Sequence, residues 1–226
     1  MWNENLQLLL VVTPEWNSVD GVLYRYERDN SSQDWELIDN PVVIAVGKKG
    51  MAWGNGLVKL NTDSETLKTE GDLKTPAGIF SIGTVFGDRT NQSCCKKMPY
   101  LEITENLECV DDPKSAFYNQ FVDPHSVTKD WSSSEKMSDY LSLYKLGFFI
   151  NHNVDPVMPT HGSCIFAHIW SGPGEGTAGC TSMDENDLKT VVQWLDADKK
   201  PLLIQLPIEE VIRHQKQWQL PEMIYQ

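Results

Sequence analysis

A chain of 226 residues is long enough for one large domain, and 19 basic against 32 acidic residues leave a formal charge of −13. That balance argues against nucleic acid, anionic lipid or polyphosphate partners reached through a basic face, and 40% apolar residues with eight Trp exclude global disorder. The longest apolar run near the start, Leu8 to Val12, falls far short of the roughly 20 residues of a membrane span, and no export signal is legible. Residues 1–226 read as a single domain.

The first third of the chain is strand-like. LQLLLVVT, GVLYRYER, DWELID and VVIAVG are rich in β-branched and aromatic residues and are bounded by Asn, Asp, Gly or Pro, which predicts an antiparallel start over residues 6–47. Residues 47–78 are polar and punctuated by Pro76 and Gly78, and read as connecting structure. IFSIGTVFG resumes a strand, and SCCKKMPYLEIT turns into another. Capping-box spacing of Ser132 and Glu135, followed by Met137, Tyr140, Leu141 and Tyr144, predicts a short helix over about 133–145. The strands FFINHN and SCIFAHIW follow. Ser182 and Glu185 then predict a helix starting near Met183, with Leu188, Val191, Val192 and Leu195 as its apolar stripe, and PLLIQLP closes the series. The expected fold is mainly β with peripheral helices, a β-sandwich-like or barrel-like sheet.

Five cysteines (Cys94, Cys95, Cys109, Cys164, Cys180) form no CxxC pair. Cys109 and Cys164 each sit in or beside a strand-like segment and are the pair to join, vicinal Cys94 and Cys95 bridging only with strain; free thiols throughout are the other reading. Cys180 precedes the predicted helix, whose dipole would lower the thiol pKa. His168 lies twelve residues upstream at the end of a strand, and the loop SGPGEGTAG can bring imidazole and thiol together. A small buried Cys and a hydrogen-bonded core His are the bland alternatives. His152, His161, His168 and Cys164 would be an alternative metal set, although no pair has finger-like spacing. Asp111 and Asp112 read as a turn or helix start before Pro113 rather than a catalytic carboxylate pair.

GSCIFAHIW followed by GTAGCTSM resembles the active-site stretch of the L,D-transpeptidase (YkuD-like) superfamily, in which a histidine is followed by a loop to Ser or Thr, one residue, Gly and the nucleophilic Cys. Those places are held by His168, Thr177, Ala178, Gly179 and Cys180. KTEGDLKTPAGIFSIGTVFG is similar to the family's EGDxxTPxGxF segment, and VGKKGMAWG, CVDDPKSAFYNQFVD and WSSSEKM look like its branch of larger bacterial members. The sequence departs from the pattern in a shorter His-to-Cys loop, Ile169 after the histidine, Ala178, and Thr181 with Ser182 after the cysteine. These departures bear on recognition of a substrate carboxylate and leave the nucleophile matched.

The resemblance implies cysteine acyl transfer on peptidoglycan stem peptides without a cofactor or metal: Cys180 as nucleophile, His168 as base, Gly179, Thr177 and Thr181 around the oxyanion. An amine from a second stem or a wall-anchored protein would be the acceptor, with hydrolysis of the same peptides, or non-catalytic wall binding, as alternatives. Candidate substrate-facing residues are Thr75 and Gly78 in the TPAG turn, Asn151, His152, Ser163 and Trp170. The TPAG turn and the Cys180 loop are expected to form one cleft. Such a substrate implies the bacterial periplasm or cell envelope.

Overall fold

The computed structural model describes residues 4–58 and 66–222. β1 (Gln7–Thr13) is buried along its whole length, as a central strand between two neighbours must be. β2 (Asp20–Glu27) pairs antiparallel with it, and β3 (Glu36–Ala45) with β2. The two strands expected over DWELID and VVIAVG are thus one strand, which bends where Asp39 takes φ +61° before Pro41. Within the stretch read as connecting, β4 (Met51–Trp53) pairs parallel with the start of β5 (Thr75–Gly87). Thr75, Pro76, Ala77 and Gly78 are therefore strand and not turn; their long-range pairing with β4 overrides the local turn signal of Pro and Gly.

A 3₁₀ turn over Arg89–Cys94 leads to β6 (Tyr100–Glu102) on the flank of β5. β7 (Glu108–Val110), β8 (Phe121–Val122) and β9 (Ser134–Lys136) make a separate small sheet in the order β8-β7-β9. The helix predicted over 133–145 is corrected here: Glu135 pairs with Cys109 in this sheet, and helical turns cover only Met137–Tyr140 and α1 (Leu141–Tyr144). β10 (Leu146–Ile150), β11 (Phe166–Ile169) and β12 (Thr181–Met183) follow, then α2 (Glu185–Trp194), β13 (Leu202–Pro207) and α3 (Ile208–Trp218).

The strand order β10-β11-β12-β3-β2-β1-β13-β5 closes on itself through β5 and β10, giving a mixed, closed β-barrel. Leu8, Leu10, Ile44, Phe80 and Ile204 belong to its principal core, together with Leu188, Val191 and Val192 of α2 and Val211 and Trp218 of α3. A second apolar cluster, with Phe86, Cys109, Tyr144 and Phe166, forms where the small sheet covers one wall of the barrel. Cys109 and Cys164 are joined by a disulfide with Cα atoms 6.0 Å apart, tying β7 to the approach of β11. Cys94, Cys95 and Cys180 are free. No helix among the described residues is long and apolar enough to cross a membrane.

Candidate active site

Strand periodicity decides what faces the site. On β11 and the residues leading into it, Ile165, Ala167 and Ile169 belong to the barrel core, whereas Cys164 and Phe166 belong to the cluster beneath the small sheet. His168 falls on the same face as Phe166 by alternation. β12 pairs parallel with β11, with Ala167 opposite Thr181 and His168 opposite Ser182, so Cys180 and Ser182 share the outer face with His168. Thr181 points the other way and donates from Oγ1 to Gln205 Oε1 at 2.6 Å. The result is a cavity of about 490 Å³, lined by Cys180 and His168 together with Lys68, Glu70, Glu135 and Tyr144. That size suits a small ligand or a few residues of a peptide.

The loop between His168 and Cys180 is held by the barrel rim. Thr177 N–H donates to Val46 O at 2.9 Å, and its carbonyl accepts from Lys48 N–H at 2.9 Å. Gly176 permits that approach, since a Cβ there would lie 2.8 Å from Lys48 Cα. Gly179 has φ +154°, and a side chain on it would press on the Lys74 carbonyl at 3.1 Å. Two threonines then fix the Cys180 backbone: Thr75 Oγ1 at 2.9 Å and Thr177 Oγ1 at 2.6 Å both donate to the Cys180 carbonyl. The Cys180 sulfur accepts from Phe166 N–H at 3.3 Å and donates to Cys164 O at 3.7 Å.

The expectation that Cys180 caps a helix is overturned. The chain stays extended as β12, between β11 and β3, and the helix starts at Glu185 with Asp184 as its N-cap, accepting from Asn186 N–H at 2.8 Å. No helix dipole acts directly on the thiol. Burial instead pushes its pKa up to about 12, with the Glu135 carboxylate adding to the rise and the Phe166 amide and the Lys68 ammonium opposing it.

His168 is 6% exposed, and its Nδ1 lies 2.8 Å from the Ile169 carbonyl. A carbonyl only accepts, so Nδ1 carries the proton and the neutral ring keeps Nε2 as its basic nitrogen. The Tyr144 ring packs edge-on against the imidazole, with centroids 5.2 Å apart. Burial lowers the His168 pKa to about 4, against the raising effect of the Ile169 hydrogen bond. At neutral pH the resting site therefore holds a thiol and a neutral imidazole rather than an ion pair.

Of the other residues expected at the site, Ser163, Trp170, Thr177 and Gly179 line the cavity. Ser163 Oγ donates to Glu70 Oε2 at 2.8 Å. Thr75, Gly78, Asn151, His152 and Thr181 are not in its wall. Thr75 is fully buried behind Cys180, Gly78 takes φ +140° in β5 against Phe80, and Asn151 Nδ2 donates to Ser81 Oγ at 2.9 Å. His152 is 1% exposed, accepts from Asn55 N–H at 3.2 Å and faces the His161 carbonyl at 2.9 Å, a core histidine tying loops together. The cleft expected between the TPAG segment and the Cys180 loop is accordingly corrected: TPAG supports the loop from behind. Cys164 is taken by its disulfide, and no group of three His, Cys, Asp or Glu among the described residues is placed to hold a metal ion.

The sequence reading missed the cavity's charged wall. Glu135 reaches it from β9, where its Oε2 accepts from Tyr144 O–H at 2.9 Å; burial and the nearby Asp111 and Glu70 raise its pKa to about 7 despite that hydrogen bond. Asp111 lines the cavity, whereas Asp112 is held down to about 2 by the Ser132 and Lys114 amides. The alternation of β7 into Asp111 and of β9 through Glu135 would have been the signal, but only once the small sheet was known.

The two buried histidines make stability depend on pH. For each the folded-state pKa is lowered from 6.5 to about 4, so the contribution is present above pH 6.5 and is lost as pH falls toward 4, about 3 kcal/mol per histidine at most. Glu135, whose folded-state pKa is raised, works in the opposite sense over the same window. Urea unfolding at pH 7 and pH 4.5 checks the sum by difference: His152→Gln, if folded, is expected to lose less stability on acidification than the parent. An equal or larger loss in the variant would show that this histidine is not the acid-sensitive group.

No curated protein and no solved structure matches the chain. Residues 16–204 match the family model YkuD, L,D-transpeptidase catalytic domain, and the chain belongs to that family.

Proposed function

We propose that the protein is a cysteine acyltransferase of peptidoglycan stem peptides, acting in the periplasm or envelope of a bacterium. The observation that carries this reading is the shared cavity lined by both Cys180 and His168, which lie on one face of the β11–β12 pair, His168 with its Nδ1 held by the Ile169 carbonyl. Family membership supports the substrate class. The Cys109–Cys164 disulfide supports an oxidising compartment.

Because thiol and imidazole both rest neutral, proton transfer accompanies attack. As the Cys180 sulfur bonds to the carbonyl carbon of a bond between an L-centre and a D-centre, its proton passes to His168 Nε2. Gly179 N–H is engaged by Thr177 Oγ1 at 3.0 Å, so the oxyanion is received by a backbone amide of the next residues, Cys180 or Thr181. Collapse breaks the C–N bond, and the imidazolium returns the proton to the departing D-amino acid, leaving a thioester on Cys180. An acceptor amine then attacks the thioester, gives a proton to His168, and releases the thiol, which recovers that proton. Water in place of the amine would make the same site an L,D-peptidase.

Whole-protein mass spectrometry with a stem tetrapeptide is the test. The expected result is a mass gain equal to the peptide less its terminal D-amino acid, mapped to Cys180, which decays to a cross-linked product when an amine acceptor is supplied. Decay only to the hydrolysed tripeptide would assign the peptidase. Absence of any adduct, with a carbapenem as well as with peptide, would leave a wall-binding module.

A further inference from the structure

A buried thiol with no helix dipole behind it depends on other charges for its ionisation. Lys68 and Glu135 have the geometry to supply them. Lys68 is 3% exposed, and its Nζ donates to Asp72 Oδ1 at 2.5 Å and Thr69 O at 2.9 Å. The ammonium lies 3.7 Å from where a Cβ on Gly179 would project, one residue before the nucleophile. Glu135 enters from the small sheet and accepts from Tyr144 O–H at 2.9 Å, while the same tyrosine ring packs on His168. Both side chains line the cavity that holds Cys180.

We propose that Lys68 and Glu135 act as an opposed charge couple on Cys180, Lys68 favouring the thiolate and Glu135 the thiol, with Tyr144 transmitting the position of Glu135 to the His168 ring. They are positioning residues, and their part in catalysis rests on the acyl-transfer reading; their effect on the thiol does not. Other charges face the cavity too. Lys48 and Glu70 come from the loops beside Lys68, with Glu70 engaged by Ser163, and Asp111 comes from the end of β7. Glu175 lies on the loop before Cys180, and Tyr140 on the turn that carries Tyr144. What sets Lys68 apart is burial beside Gly179, and what sets Glu135 apart is its contact, through Tyr144, with the base. Burial, helped by Asp111 and Glu70, keeps part of Glu135 protonated near pH 7. Its restraint on the thiol therefore strengthens as pH rises.

The experiment is alkylation of Cys180 by iodoacetamide between pH 6 and pH 10, read by peptide mass spectrometry on the intact, oxidised protein. The variants are Glu135→Gln, Lys68→Met and Lys68→Arg, each with a thermal unfolding curve. A single charge facing a thiol across a partly buried cavity moves its pKa by roughly half to one unit. Glu135→Gln is expected to speed alkylation about threefold to tenfold at pH 8.5 with little change at pH 6. Lys68→Met is expected to slow it by a similar factor, and Lys68→Arg to stay within about twofold of the parent.

A purely structural role predicts a different pattern, because loosening the wall exposes the thiol and speeds alkylation in both neutralising variants. Shifts in the same direction, or shifts below twofold with native unfolding curves, would overturn the charge couple. If Lys68→Met fails to unfold cooperatively, Glu135→Gln and Lys68→Arg decide the matter, a Glu135→Gln protein slower than or equal to the parent counting against the proposal. Opposite shifts without an acyl-enzyme from stem peptides would keep the couple and remove the acyl-transfer reading. Acyl-enzyme formation with parallel shifts would do the reverse.

Discussion

Replacing Cys180 by Ala is expected to abolish acyl-enzyme formation altogether while leaving the barrel folded. The proposed nucleophile is a single atom, and the described residues offer no second free thiol in the cavity: Cys164 is bridged to Cys109, and neither Cys94 nor Cys95 is part of the wall. The structural cost is small by comparison. The sulfur gives up one hydrogen bond from the Phe166 amide and one to the Cys164 carbonyl, about 1 to 3 kcal/mol in a buried setting, and the backbone anchors from Thr75 and Thr177 are untouched. His168→Gln keeps a polar side chain of similar size but lacks the base, so a loss of about 10² to 10⁴-fold in acylation is expected, with a folded protein. Stem-peptide acylation rates alongside thermal unfolding separate the two effects. Residual acylation of the Cys180→Ala protein at the parent's rate would place the nucleophile elsewhere.

The sequence made the neighbourhood of Cys180 legible but not its electrostatics. Local signals succeeded where local interactions dominate: β-branched and aromatic runs bounded by turn residues marked β1 and β2, and the apolar stripe Leu188, Val191, Val192 marked the body of α2. They failed where pairing across the chain overrides them. The SxxE match at Ser182 put a helix two residues too early at Met183, and close behind the thiol, because nothing local reveals that Thr181–Met183 are gripped between β11 and β3. The same match at Ser132 hid β9, whose register places Glu135 opposite Cys109. α3 went unread, although Ile208, Val211 and Trp218 at helical spacing behind Glu209 and Glu210 carried a signal for it. The cavity wall is harder still. Lys68, Asp111, Glu135 and Tyr144 meet only because the small sheet folds back over the barrel, and no spacing within any one segment records that.

That folding back is why the second large effect is expected at the disulfide. Cys109 lies in β7 and Cys164 just before β11, 55 residues apart, so the bond closes a loop holding the small sheet, α1 and β10. In the chain-entropy account such a loop is worth about 4 kcal/mol, less any native strain. For a chain of this length that corresponds to a fall of roughly 8 to 16 °C in the thermal midpoint. The bond also has a local consequence, because β7 pairs with β9, which carries Glu135, and the Cys164 carbonyl accepts from the Cys180 thiol. Loosening the bridge therefore loosens the wall of the site together with the fold. The double variant Cys109→Ala/Cys164→Ala is expected to unfold at the lower temperature, to show faster alkylation of Cys180, and to be indifferent to reductant. The parent should approach the same midpoint when dithiothreitol is added, apart from the buried sulfur volume lost in the variant. A parent whose midpoint does not move with reductant, once thiol titration has shown the bridge open, would mean that the second apolar cluster holds the small sheet without the covalent tie.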